Sequence, residues 1–183
     1  MIRRSFLLLA GSALMLSACG FQLRGQQDFA FKRLAIVGAT PPVTARITRL
    51  VEGGSDSVVV QSVSNADAVL HITEGRNFST LTLNQLGVVQ EYQVNLTLNY
   101  TLTAPDGSVL IRPSAIALNR AMTYSDQFST AKVTESDLLF ADMQKDAVDQ
   151  LMRRLGVLRT LHPTPEQVVP GVAPGAPLPP PPL

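Results

Sequence analysis

The clearest pattern in the chain is a strict alternation of apolar and polar residues from Tyr92 to Thr103, YQVNLTLNYTLT. Period two predicts a strand with one buried face, and twelve residues at about 3.3 Å each span roughly 40 Å. The polar face carries only amides and hydroxyls, without a charge. Two interpretations stay open: this face meets another polar surface, or it is a solvated face rich in threonine for strand propensity.

A second long strand follows this one and predicts an extended hairpin. Residues 105–107, Pro-Asp-Gly, supply the turn, and apolar residues then recur at alternate positions from Ile116 to Tyr124. Arg120 interrupts that apolar face. A guanidinium among apolar neighbours needs a carboxylate, a carbonyl or a phosphate as its partner.

The segment before this hairpin predicts strands around one helix. Lys32–Val37 is expected to form a strand, and Thr40 caps a helix that has prolines in its first turn and ends at Gly53-Gly54. A buried strand around Val58–Gln61 and an alternating strand over Ala68–Glu74 follow.

The last predicted element is a helix. Thr134-Glu135-Ser136-Asp137 resembles a capping box, apolar residues then recur on one helical face from Phe140, and Gly156 ends the helix. The resulting fold class is α/β (α+β). We expect a two-layer sandwich, with two helices packed on one face of a mixed, mostly antiparallel sheet of about four to five strands.

The amino terminus has the pattern of a lipoprotein signal. Arg3 and Arg4 precede a short apolar run, and Leu16-Ser17-Ala18-Cys19 fits a lipobox. The run is shorter than the about 20 residues that span a bilayer. We predict a signal peptide over 1–18 and a covalent lipid, N-acyl and S-diacylglycerol, on Cys19. An ordinary secretory signal followed by a chance cysteine is the alternative.

The rest of the chain divides into three parts. A lipidated tether over 19–30 leads to the sandwich domain at 31–160, and a proline-rich tail occupies 161–183. Because proline lacks an amide proton, we expect the tail to be disordered or polyproline II, with a proline-recognition ligand as the alternative.

Composition excludes several function classes. The formal net charge is +1, and there is no long basic run of the kind that binds nucleic acid. Cys19 is the only cysteine of the sequence, and His71 and His162 are its only histidines. The sequence also has no nucleophile elbow, no phosphate-binding loop and no metal-ligand spacing. We therefore expect no enzyme, no metal and no cofactor other than the lipid.

Taken together, several stretches resemble the LptE family of lipopolysaccharide-assembly lipoproteins. They are Cys19-Gly20-Phe21-Gln22-Leu23-Arg24 after the lipobox, Glu91-Tyr92-Gln93 at the start of the long strand, Arg120, and the helix end DQLMRRL. The similarity covers nearly all of Cys19–Leu158. It implies a plug inside the outer-membrane β-barrel LptD, which assists assembly of that barrel and binds lipopolysaccharide. Gly20 after the cysteine is typical of outer-membrane sorting, so a lipid-anchored, periplasm-facing location is expected.

The resemblance also implies which residues bind lipopolysaccharide. The family has basic residues at loop tips, and Lys132, in a predicted loop between Ser125 and Thr134, falls at one of these places. Gln85 replaces a basic residue at the other tip, so Arg76, Arg112 and Arg120 are the alternative phosphate ligands. Two alternatives remain open: Lys132 is a solvated loop lysine, and Arg120 only stabilises the hairpin. The alternative function is a free-standing periplasm-facing lipoprotein that binds an apolar ligand or scaffolds another envelope complex.

The anchor hypothesis makes a direct prediction. Cys19→Ala should abolish lipid labelling and leave the signal peptide uncleaved, because the thiol is the acylated group. The variant domain should keep the far-UV circular dichroism and melting temperature of the wild type. An unfolded domain would contradict a purely anchoring role for Cys19.

Overall fold

A computed structural model describes residues 28–124, 129–164, 166 and 168–172. A short 3-10 turn lies at Val63–Asn65. The other elements are five strands and two helices, in chain order β1 (Arg33–Val37), α1 (Pro41–Gly54), β2 (Val58–Val60), β3 (Ala68–Leu83), β4 (Val89–Thr103), β5 (Val109–Thr123) and α2 (Ser129–Leu155).

The five strands form one mixed sheet in the order β2-β1-β3-β4-β5. β1 pairs in parallel with β2 and with β3, whereas β3, β4 and β5 are antiparallel neighbours. Both helices pack on the same face, and α1 also contacts α2. The predicted two-layer α+β sandwich is confirmed.

β4 is the central strand of the antiparallel part, and its alternation is confirmed. Val94, Leu96, Leu98, Tyr100 and Leu102 are buried, while the residues between them are exposed or half-buried. These side chains join residues of both helices in one core, and burying each of them stabilises the fold by about 1.5–3 kcal/mol. The predicted hairpin is also present, because β4 pairs with β5 along almost its whole length.

Two strands differ from their predictions. β3 continues beyond Glu74 to Leu83, because these further residues pair with β4. Most of them are exposed, so they show no burial pattern in the sequence. Residues 58–61 were expected to form a buried strand, but β2 has only three residues and Val58 is 48% exposed. The reason is its position at the edge of the sheet.

The capping box predicted at Thr134 is wrong, because α2 begins at Ser129. The Thr134 hydroxyl donates to the carbonyl of Thr130, and the Ser136 hydroxyl donates to that of Val133. Such bonds back to the preceding turn satisfy these side chains inside a helix. Lys132 therefore lies on α2 and not in a loop.

Part of the proline-rich tail is paired with the sheet. Val169 forms a parallel bridge with Ile111 of β5, and Val172 accepts a hydrogen bond from the Ala115 amide. For residues 168–172 the expectation of an unpaired tail is therefore wrong.

A polar contact links the start of β1 to the residue that precedes β3. Asp67 accepts hydrogen bonds from the backbone amides of Lys32 and Arg33, and its carboxylate lies 2.7 Å from the Arg33 guanidinium. The hydrogen bond from the Arg33 side chain is the main cause that lowers the pKa of Asp67, and the two backbone amides add to it. The carboxylate therefore favours the folded state.

We expect Asp67→Asn to lower the free energy of unfolding at pH 7 by about 1–2 kcal/mol, since hydrogen bonds to a charged acceptor are lost. The folded-state pKa lies below the unfolded one, so this stabilisation is present above the unfolded pKa and disappears as pH falls through the folded value. Urea unfolding at pH 7 and at pH 3 should show the difference shrinking in acid. Asp56→Asn, at an exposed position before β2, is the matched control, and an equal loss there would contradict this role.

Candidate functional site

The face of the sheet opposite the helices carries an uncharged surface over the central parts of β3, β4 and β5. Register places its residues in cross-strand rows, for example Asn77, Asn95 and Asn119, or Gly75, Thr97 and Ala117. We call this surface the open face, and it consists of His71, Thr73, Gly75, Asn77 and Ser79 of β3, Gln93, Asn95, Thr97, Asn99 and Thr101 of β4, and Ala115, Ala117, Asn119 and Ala121 of β5.

The open face extends the β4 pattern over two further strands. None of its residues is Asp, Glu, Lys or Arg, and most of the side chains are short. Asn95 donates to the Ser79 hydroxyl and to the Gln93 carbonyl, so part of the polar surface is internally ordered. His71 lies near one end within 3.4 Å of the Thr103 hydroxyl. Such a surface is polar and neutral.

A second feature lies on the helix side, at the end of the sheet near the β3–β4 turn. Between β3, β4, β5 and α2 is a cavity of about 350 Å³. We call it the hairpin pocket, and it is lined by Phe78, Tyr92, Met122, Tyr124, Lys132, Val133 and Ser136.

Aromatic rings build the wall of the hairpin pocket. Phe78 meets Phe140 edge to face with 5.6 Å between ring centroids, and Tyr92 meets Tyr124 at 5.1 Å in the same way. Phe78 is nevertheless 48% exposed, which is unusual for a large apolar side chain in a cluster. The pocket therefore presents apolar surface to the outside.

Lys132 supplies the cationic group of the hairpin pocket. Its side chain is only 18% exposed, and its ammonium lies 2.7 Å from the Glu135 carboxylate. The ammonium also donates to the Thr123 hydroxyl at 3.1 Å, which ties α2 to the end of β5. The predicted site residue is thus half-buried and positioned, unlike a freely solvated loop lysine.

Arg76 borders the same aromatic cluster. Its guanidinium lies 5.0 Å from the centroid of the Phe140 ring, and its Nε donates to Glu74. Glu74 is almost buried and also accepts a hydrogen bond from Gln144 of α2. Arg76 and Lys132 therefore flank the rings, and each already has a carboxylate partner.

Arg120 does not join this group. Its guanidinium lies 2.9 Å from Asp146, which is the carboxylate partner that the sequence pattern required. Asp146 follows Lys132 by fourteen residues on α2, which corresponds to about 20 Å along the helix. The structure thus places Lys132 in the hairpin pocket and Arg76 beside Phe140, and neither Arg76 nor Arg120 lines the pocket. The aromatic wall was not predicted, because its rings come from β3, β4, α2 and the residue after β5.

Three expectations concern other parts of the molecule. Cys19 lies outside the described residues, so the structure does not bear on its lipidation. Among the residues that the structure describes, no cluster of three His, Cys, Asp or Glu side chains could hold a metal ion. In that same part of the chain, no helix is long and apolar enough to cross a membrane.

Comparison with known proteins identifies the family. The family model described as LptE, lipopolysaccharide-assembly, matches residues 30–155. The LPS-assembly lipoprotein LptE of Photorhabdus laumondii is 27% identical over 160 residues, which cover 85% of this chain and 87% of that protein. The protein of the same name from Pectobacterium atrosepticum is 29% identical over 163 residues, covering 85% and 86% respectively.

Solved structures show the same architecture. The solution structure of uncharacterized lipoprotein B from Nitrosomonas europaea superimposes with a TM-score of 0.63 at 28% identity, covering 75% of this chain and 90% of that one. The crystal structure of the rare lipoprotein B from Shewanella oneidensis shares the fold, with a TM-score of 0.53 at 22% identity. The match covers 66% of this chain and 91% of that chain. With the family model matched along both helices and all five strands, the chain belongs to the LptE family of lipopolysaccharide-assembly proteins.

Proposed function

We propose that this protein is an outer-membrane lipoprotein, anchored through Cys19 and facing the periplasm, which assists assembly of the LptD β-barrel and binds lipopolysaccharide for delivery to the outer leaflet. The observation that carries the proposal is the open face, which runs without a charge over the central parts of three long strands. Membership of the LptE family supports the same function.

The open face is suited to lie against a polar protein wall. Removing a charged side chain from water costs several kcal/mol unless it is paired, whereas amides and hydroxyls can exchange water for hydrogen bonds to a partner. Short side chains in cross-strand rows, such as Gly75, Thr97 and Ala117, also let a second surface approach closely. A plug inside a barrel needs both properties.

The hairpin pocket is suited to an amphipathic anion. Lipopolysaccharide has phosphates and acyl chains, and the pocket places the Lys132 ammonium beside an aromatic wall. An ammonium has three donors, and Thr123 and Glu135 take two of them among the described residues. The third can donate to a phosphate, and Glu135, whose side chain is 44% exposed, can turn away into water.

Co-purification distinguishes this function from that of a free-standing lipoprotein. A tag placed after Leu183 should recover the β-barrel from solubilised outer membranes in a one-to-one complex, identified by mass spectrometry. Recovery of the lipoprotein alone would favour the free-standing carrier or scaffold.

We expect Lys132→Asp to weaken lipopolysaccharide binding by at least about tenfold, because a charge-assisted hydrogen bond of about 1.5–3 kcal/mol is replaced by repulsion. Binding of labelled lipopolysaccharide to the purified protein measures the effect. Lys145→Asp, at an exposed position of the same helix, makes the same charge change and should bind like the wild type. Equal affinities for both variants would refute the site.

Arg120 has a different expected role, which is to hold β5 on α2. Arg120→Ala and Asp146→Ala should each lower the free energy of unfolding by up to about 1 kcal/mol, and the double variant should lose less than the sum, because both changes break one half-exposed ion pair. Lipopolysaccharide binding should stay unchanged in all three. If only Arg120→Ala loses the ligand, the arginine is itself a phosphate ligand.

A further inference from the structure

The segment 168–172 lies against the outer edge of β5. The Val169 amide donates to the Leu110 carbonyl, and the Val169 carbonyl accepts from the Arg112 amide. Further along, the Ala115 amide donates to Val172 at 2.8 Å. The Val172 amide in turn donates to the Ser114 hydroxyl. The segment thus bonds to β5 on both sides of Pro113.

The direction of this pairing follows from the topology. Parallel neighbours need a long crossover connection, and α2 returns the chain from the end of β5 to its beginning. The same arrangement occurs at the other edge, where α1 connects β1 to its parallel neighbour β2. Segment 168–172 therefore repeats at the β5 edge the arrangement that β2 has beside β1.

β5 without this segment would be a long exposed edge. It has fifteen residues, of which only Arg112 and Arg120 are charged. A long, flat strand with few charges is a template for pairing with another chain, and proteins cover or charge such edges. Pro113, which has no amide proton, protects one position, and segment 168–172 covers the residues around it.

We propose that segment 168–172 is an intramolecular cap that prevents β5 from pairing with β5 of a second copy of this chain. Two identical edges pair antiparallel about a two-fold axis, so a residue on one side of the centre faces the residue of the second copy that is equally far on the other side of the centre.

The cap limits the registers in which β5 can pair with β5 of a second copy. With Leu110–Ala115 covered, symmetric pairing is confined to 116–123, whose centre places Arg120 opposite Arg120 or next to it. Like charges in that position are unfavourable. Without the cap the strand can pair about residue 117 over 111–123, and this register places Arg120 opposite Ser114 and Arg112 opposite Met122, so no arginine directly faces another.

Gly171 provides a selective way to remove the cap. A Cβ atom at this position would lie 2.5 Å from the Pro113 carbonyl oxygen, so alanine cannot occupy the docked conformation. Gly53 in α1 has nothing within 4 Å of such an atom, and Gly53→Ala is the matched control. Val172→Pro is a second, independent variant, because it removes the amide that donates to Ser114.

The test uses the lipidated full-length protein in detergent with Ala117→Cys, a position on β5 just beyond the cap. Cys19 is the only native cysteine, and its thiol is acylated under the proposed function, so cross-links report on position 117. Mild oxidation should give a disulfide-linked dimer at least about tenfold faster in Gly171→Ala and in Val172→Pro than in the Gly53→Ala control. Hydrogen exchange at the Arg112 and Ala115 amides should rise at least about tenfold in the same two variants.

Unchanged exchange in both variants would overturn the cap, and faster exchange without cross-linking would overturn pairing with a second copy. Lipopolysaccharide binding, measured in parallel, should stay at the wild-type level, so failure of the cap is distinguishable from failure of the hairpin pocket.

Discussion

The fold depends on the register of β4 between its two neighbours. β4 is paired on both sides, with β3 and with β5, along nearly its whole length. A slip by one residue would turn Leu96 and Leu98 to the outside and bury Thr97 and Asn99 without hydrogen-bond partners. The same constraint separates the two functions of the sheet, because one set of alternate residues forms the core under the helices and the other forms the open face.

Cross-connections between the layers keep the helices in place over this sheet. Glu74 of β3 is nearly buried and binds Gln144 of α2, while its other oxygen accepts from Arg76. A salt bridge between Arg46 of α1 and Asp149 of α2 joins the helices, with both carboxylate oxygens within 2.9 Å of one guanidinium nitrogen. These contacts position α2, and through it Lys132, relative to the aromatic rings of the hairpin pocket.

The sequence predicted those parts of the fold that leave a burial pattern. The alternation in β4, the β4–β5 hairpin, α1 and the two-layer architecture follow from apolar periodicity. Exposed elements leave no such pattern, so the sequence does not predict the second half of β3 or the first turn of α2, and a Thr-x-x-Asp sequence inside α2 resembles a helix start. Lys132 was identified through family resemblance, but the rings around it are brought together only by tertiary packing. Because the tail is rich in proline, its sequence does not predict that the apolar pair Val168-Val169 belongs to a segment that pairs with β5.

The neutrality of the open face determines how its contacts respond to the medium. Interactions between charges weaken as ionic strength rises, because mobile ions screen them over about 8–10 Å at physiological concentration. A surface of amides, hydroxyls and methyl groups has no such long-range component. Adhesion through this face should therefore be nearly indifferent to salt, which suits a protein exposed to the variable ionic conditions of a cell envelope.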